Sequence, residues 1–158
     1  MHLLTALIKG RREKFPTSFV RRQIKFLLGR FKDKHRSVVP AVNGVLDVAV
    51  RWAVPLDDVA DALPTCWSSS VAEVRAHTAA WLKRSVNNKD VQVSNNMLTV
   101  LADAGASLLG DSRPNVRSEG EGLLLALARR YVVATTTAVV RMLPCSPVCC
   151  ITLHAASA

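Results

Sequence analysis

The chain has 158 residues, 49% hydrophobic, 21% charged and 5% aromatic, which is too apolar for a disordered tail and long enough for one domain with its own core. Its 21 Lys and Arg exceed 12 Asp and Glu, but residues 1–36 hold 11 basic and 2 acidic groups while residues 37–158 hold 10 of each. A basic end on a neutral body excludes a diffuse polycation and points to one local acidic contact, such as nucleic acid, an anionic membrane or an acidic protein surface. Three of the four cysteines, Cys145, Cys149 and Cys150, crowd the last 14 residues, with Cys66 alone upstream. That is no evenly spread disulfide framework, and reduced thiols are expected. Leu3–Ile8 is too short an apolar run for a secretory signal. Beyond Tyr131, Pro144 and Pro147 and the run Thr135, Thr136, Thr137 leave no apolar stretch long enough to span a membrane.

In chain order, Val20, Ile24, Leu27, Leu28 and Phe31 fall at offsets 0, 4, 7, 8 and 11, one face of a helix expected over about 19–32. Val38, Val42, Val45, Leu46 and Ala49 repeat those offsets after Ser37, an expected N-cap, and predict a helix over 37–51. A third helix over 56–67 uses Leu56, Val59, Ala60, Leu63 and Trp67, and Pro64 is expected to kink or end it. Ser70-Val71-Ala72-Glu73 reads as a capping box opening a helix over 71–86, whose face is Val74, Thr78, Trp81, Leu82 and Ser85. A weaker helix over 94–109 buries Met97 or Leu98, Leu101, Ala104 and Leu108, with Gly105 costing about 1 kcal/mol relative to Ala. Asp111-Ser112-Arg113-Pro114 then leads into a helix over 114–132 with Val116, Gly120, Leu123, Leu124, Leu127 and Tyr131 on one face. Val45, Leu46, Trp81, Leu82, Leu123, Leu124 and Leu127 are expected to be buried.

The second, fourth and sixth helices superpose: Val38, Val74 and Val116 align, then Val42, Thr78 and Gly120, then Val45, Trp81 and Leu123, with spacings of 36 and 42. Helical pairs recurring at that period mark an α-solenoid, so the expected fold is all-α, built of stacked antiparallel helical hairpins. The tetratricopeptide period of 34 is too short, whereas Asp111-x-x-Pro114-x-Val116-Arg117 resembles the start of the second helix of a HEAT repeat.

Three stretches carry a closer resemblance. Leu7-Ile8-Lys9-Gly10-Arg11-Arg12-Glu13-Lys14-Phe15, Phe31-Lys32-Asp33-Lys34-His35-Arg36-Ser37-Val38, and Glu73-Val74-Arg75 through Trp81-Leu82-Lys83-Arg84 are similar to segments of the TOG domains of microtubule polymerases and CLASP-type factors. The resemblance implies the C-terminal part, about three and a half HEAT repeats over 1–142, of a six-repeat domain that binds αβ-tubulin through its intra-repeat turns. It also implies that Leu3–Phe15 ends the third repeat, that Leu3, Leu4 and Leu7 form an uncapped apolar face, and that the chain is a fragment or a degenerate relative. Residues 143–158 are expected to be an unstructured tail. Lys32, Lys34 and Arg36 match the family's basic turn, Arg75 a basic residue opening the next second helix, and Arg113 a turn residue. The resemblance assigns these five to tubulin, in the cytoplasm and on the cytoskeleton.

Against these stand plainer readings. Lys32, Lys34 and Arg36 also suit a solvated helix end, where cations are favoured by about 0.3–1 kcal/mol. Arg21, Arg22 and Lys25 read as a solvated face that could extend the basic contact. Arg117 reads as a structural residue bonding a neighbouring turn, with Asp111 as its partner. The alternative function is a scaffold or nucleic-acid-associated module using the basic N-terminal quarter. Trp67 and Trp81 read as core, and Trp52 as partly exposed. His77 has no second ligand one helical turn away, and Cys145, Cys149, Cys150 and His154 match no common zinc spacing. No Gly-rich phosphate loop, paired carboxylates or Ser/His/Asp set stands out, so no catalysis, metal or cofactor is expected.

Overall fold

In the computed structural model, the described residues are Ala6, Gly10 and 17–142, with side chains described at Ala6 and over 18–130. The resembling stretch Leu7–Phe15, apart from Gly10, the apolar Leu3, Leu4 and Leu7, and the tail from 143 lie outside them. Helix α1 (Thr17–Gly29) tightens into a 3-10 turn over Arg30–Lys32, and α2 follows as Val38–Trp52. A 3-10 segment, Leu56–Ala62, runs into the short α3 (Leu63–Trp67). Next come α4 (Ala72–Asn87), α5 (Asn95–Leu109) and α6 (Pro114–Met142). No strand occurs among the described residues. The chain divides into two units after Leu127; helix α6 continues to Met142, past the expected end at 132.

The periodic stripes are the core of the first unit. Val20, Ile24, Leu27, Leu28 and Phe31 are all buried, as are Val42, Val45, Leu46 and Ala49, and all five stripe positions of α4. Met97 rather than Leu98 is the buried residue at the start of α5. Of the seven residues expected inside, Leu124 alone remains half-buried, packed against the core. Each fully buried Leu or Ile is worth about 1.5–3 kcal/mol of transfer free energy, so these stripes, not the marginal propensity of short helices, hold the fold.

Two local expectations are corrected. The third predicted helix splits, because a proline at 64 has no amide hydrogen and its ring would strike the carbonyl of Ala60 inside a continuous helix. The chain runs as a 3-10 segment to Ala62 and restarts with Pro64 in the first turn of α3. The capping box at Ser70 does not form either: Val71, extended at φ −89°, is the N-cap, and no side chain caps α4. The acceptor there is Ser69 Oγ, which takes the Val71 amide at 3.2 Å.

Glycine has a packing role between α5 and α6. A Cβ on Gly120 would stand 2.8 Å from Leu108 Cβ and 3.3 Å from the Gly105 carbonyl oxygen. One on Gly105 would meet Leu124 at 2.8 Å. The residue that weakens α5 as an isolated helix therefore lets the two helices approach closely.

Candidate functional site

The turns that precede α2, α4 and α6 share one local design. In each, a side-chain oxygen accepts the backbone amide two residues on: Asp33 Oδ1 from His35 at 3.0 Å, Ser69 Oγ from Val71 at 3.2 Å, and Asp111 Oδ1 from Arg113 at 2.9 Å. Short polar side chains favour this turn because they supply an acceptor close to their own backbone. Asp33, Ser69 and Asp111 each stand five residues before the aligned Val38, Val74 and Val116, so the 36- and 42-residue spacings recur in the turns as well as the stripes.

The second and third turns are tied together. Arg75 donates from Nε to Asp111 Oδ2 at 2.6 Å and from Nη2 to Asp111 Oδ1 at 2.9 Å, and its Nη1 donates to the Ser69 carbonyl at 2.5 Å. This fork-on-carboxylate geometry is the strongest form of charge-assisted bonding. The two side chains are 14% and 10% exposed. The Arg75 bonds, with the Arg113 amide second, hold the Asp111 carboxyl below its ordinary value. Arg117 repeats half of the pattern: its Nη1 donates to the carbonyls of Asp111 at 2.9 Å and Ser112 at 3.1 Å. Eight residues further along each segment, about two helical turns, Lys83 Nζ meets Glu119 Oε2 at 2.5 Å, again 36 residues away.

Between these turns lies a polar cleft of about 440 Å³ lined by Ser70, Glu73, Arg75, Ser112, Arg113 and Asn115, with Val71 and Ala72. The structure thus brings Arg75 and Arg113 to one cleft and divides their roles. Arg113 is exposed, whereas Arg75 is engaged in holding the two turns together. Arg117 bonds the turn at Asp111, as expected of a structural residue, through that residue's carbonyl, and Arg75 takes the carboxylate. The 36-residue separation of Arg75 and Asp111, equal to the first repeat spacing, was the signal available in the sequence.

The first turn is built differently in charge. Arg30 Nη2 donates to Asp33 Oδ2 at 3.0 Å, and His35 Nδ1 stands 2.8 Å from Ser37 Oγ. Lys32, Lys34 and Arg36 are exposed and make no ion pair with a described residue. The turn is anchored by Phe31, which is 1% exposed and places its ring 5.6 Å from that of His77 in α4. Val39 occupies the place that Arg75 and Arg117 hold in the later helices, so nothing from α2 reaches forward to bind Ser69 as Arg75 binds Asp111.

The remaining candidates take structural places. Trp81 is fully buried, Trp67 is half-buried between two apolar clusters, and half-buried Trp52 lies under the Arg51 guanidinium, 4.9 Å from the ring centre. Arg21 pairs with Asp58 at 2.5 Å, while Arg22 and Lys25 are exposed. Asp57 accepts from the Ser94 hydroxyl and amide, linking the Leu56–Ala62 segment to the cap of α5, where Ser94 Oγ accepts the Met97 amide at 3.1 Å. Cys66 is buried, which pushes its thiol pKa up. Among the described residues no group of His, Cys, Asp and Glu could hold a metal ion, and no helix is long and apolar enough to cross a membrane.

No protein-family model matches the chain, and no solved structure matches it. Centrosomal protein 224 of Dictyostelium discoideum is 25% identical over 116 residues, covering 70% of this chain and 6% of that protein. The chain therefore spans a small part of the length of the curated relative it matches.

Proposed function

We propose that the chain is a TOG-like module of about three and a half HEAT-type hairpins in a solenoid, and that it binds αβ-tubulin through its basic turns and so contributes to regulating microtubule polymerisation. Lys32, Lys34 and Arg36 make the principal contact and Arg113 a lesser one. Arg75 serves that contact indirectly, by fixing the turn that presents Arg113. The observation that carries this reading is the open basic turn: three cations project from a turn whose backbone is fixed by Asp33 and Phe31, with no ion pair to a described residue. Preset cations of one sign attract an acidic partner and speed its encounter. The recurrence of one turn design at the repeat spacing supports the HEAT assignment, and the similarity to a centrosomal protein supports a cytoskeletal setting.

The test is gel filtration and titration of the 158-residue chain with unpolymerised αβ-tubulin. Lys32→Glu, Lys34→Glu and Arg36→Glu together should weaken binding at least tenfold, and wild-type binding should weaken as salt rises past about 0.15 M, where the Debye length is about 8 Å. Undiminished binding by the triple variant would overturn the reading. The second reading is a nucleic-acid-associated scaffold, favoured by the exposure of Arg22 and Lys25 on a helix face rather than a turn. It requires duplex DNA to bind with a steep salt dependence.

A further inference from the structure

Ser85 Oγ and Trp81 Nε1 are buried without a hydrogen-bond partner, and the two residues stand four apart on α4, on one side of the helix. Ser85 is 3% exposed. A buried polar group left unpaired is costly, so such a group in a folded protein calls for a partner from outside the chain. Ser85 lines a pocket of about 100 Å³ with Asp47 and Val50 of α2, Arg84 of α4, and Asn88 and Val91 beyond the end of α4. The two valines are buried, and Asn88 Oδ1 accepts the Asp90 amide at 3.0 Å. Asp47 and Arg84 stand 3.6 Å apart, too far for a hydrogen bond, while Arg84 Nη1 donates to the Ala80 carbonyl at 3.4 Å. Burial raises the Asp47 pKa more than Arg84 and Trp81 lower it, so the fold leaves this carboxylate short of donors.

We propose that this pocket receives a primary carboxamide, the group that ends Asn and Gln side chains, with its amide hydrogens donated to Asp47 and its carbonyl oxygen accepting from the Ser85 hydroxyl and Arg84. Size and charge select this ligand. A water molecule takes about 30 Å³ in the liquid, so the pocket suits roughly three heavy atoms, the carbon, oxygen and nitrogen of a carboxamide. Asp47 and Arg84 cancel in charge, so a carboxylate or ammonium of the same size would meet a like charge beside its opposite and lose hydration without a net ionic gain. A neutral group with a donor on one side and an acceptor on the other matches both walls. Ten residues separate Asp47 from Ser37, about 15 Å along α2, so the pocket is apart from the basic turn and does not depend on the tubulin reading.

The experiment titrates the full 158-residue chain, labelled with nitrogen-15, and follows the Trp81 indole N–H and the Ser85 and Asn88 amides by NMR. The probes are acetamide, acetate and methylammonium, and a Gly-Gly-Gln-Gly-Gly peptide beside its Glu analogue; ligands this small bind weakly, so the titration runs through the millimolar range. Acetamide and the Gln peptide should shift these signals saturably, and acetate, methylammonium and the Glu peptide should not. Ser85→Ala should weaken acetamide by about threefold or more without lowering the melting temperature, because the hydroxyl has no partner to lose in the free chain. Asp47→Asn leaves Arg84 uncompensated and should transfer the preference to acetate. Binding of acetamide but not of the Gln peptide would support the carboxamide site and assign it to a small molecule rather than a side chain. Equal shifts from acetamide and acetate, or acetamide binding undiminished by Ser85→Ala, would overturn the proposal. So would the absence of any saturable shift, which would mean that the pocket holds water only.

Discussion

The turn at 33–37 and the paired turns at 69–71 and 111–113 are built on the same hydrogen bond yet use charge in opposite ways. In the paired turns Arg75 is consumed by Asp111 and the Ser69 carbonyl, so its charge fixes geometry and is largely withdrawn from solvent. In the first turn the cations have no such carboxylate, and anchorage comes from a buried ring and a backbone bond. A basic residue in one of these turns is thus a strut where a carboxylate stands across from it, and is left open to solvent where none does.

The largest expected break in this comparison is Asp111→Ala. It removes both carboxylate bonds from Arg75 and the acceptor of the Arg113 amide, and leaves a mostly buried guanidinium short of partners. Circular dichroism should show a melting temperature several degrees lower, the greatest loss of the set. Gly120→Ala should follow: the added methyl meets Leu108 Cβ and the backbone of α5. Overpacking of about 1–3 kcal/mol is offset by about 1 kcal/mol of helix propensity, for a net loss of about 0–2 kcal/mol in urea unfolding.

Acid titration sharpens the same contrast. The folded Asp111 carboxyl is held below its unfolded value, so its contribution is complete above that unfolded value, ordinarily near 3.8, and is lost as pH falls through the lower folded one. Asp47 has the opposite sign: burial, only partly countered by Arg84 3.6 Å away, raises its pKa, so its contribution is lost as pH rises through the raised value. Asp111→Asn should therefore flatten the loss of stability in acid, whereas Asp47→Asn should not. The smallest expected effect on stability is that of Lys32→Glu, Lys34→Glu and Arg36→Glu, within about 0.5 kcal/mol in the same unfolding assay, because exposed side chains without close partners are substituted at little cost.

Most of the helical framework was legible in the sequence because its stripes are long and periodic: the offsets of Val20 to Phe31 and of Val74 to Ser85 predict both helix type and burial. What periodicity does not carry is the local detail of helix ends. Whether Ser69 or Ser70 supplies the acceptor before α4 depends on the extended backbone at Val71, and neighbouring serines in the sequence do not distinguish it. The bond between Arg75 and Asp111 was missed for a different reason. A cation at the head of a helix looks alike whether it faces solvent or a carboxylate, and the one cue to Asp111 is its separation of 36 residues, equal to the first repeat spacing.

The most direct measurement compares tubulin affinity for two charge reversals at one salt concentration: Lys32→Glu, Lys34→Glu and Arg36→Glu in the open turn, against Arg22→Glu and Lys25→Glu on the face of α1. Arg21 is left in place because Asp58 holds it. If the open turn is the contact, the first variant loses tubulin at least tenfold, the second keeps it, and duplex DNA fails to compete. Equal loss in both variants, with duplex DNA displacing tubulin, would contradict the assignment.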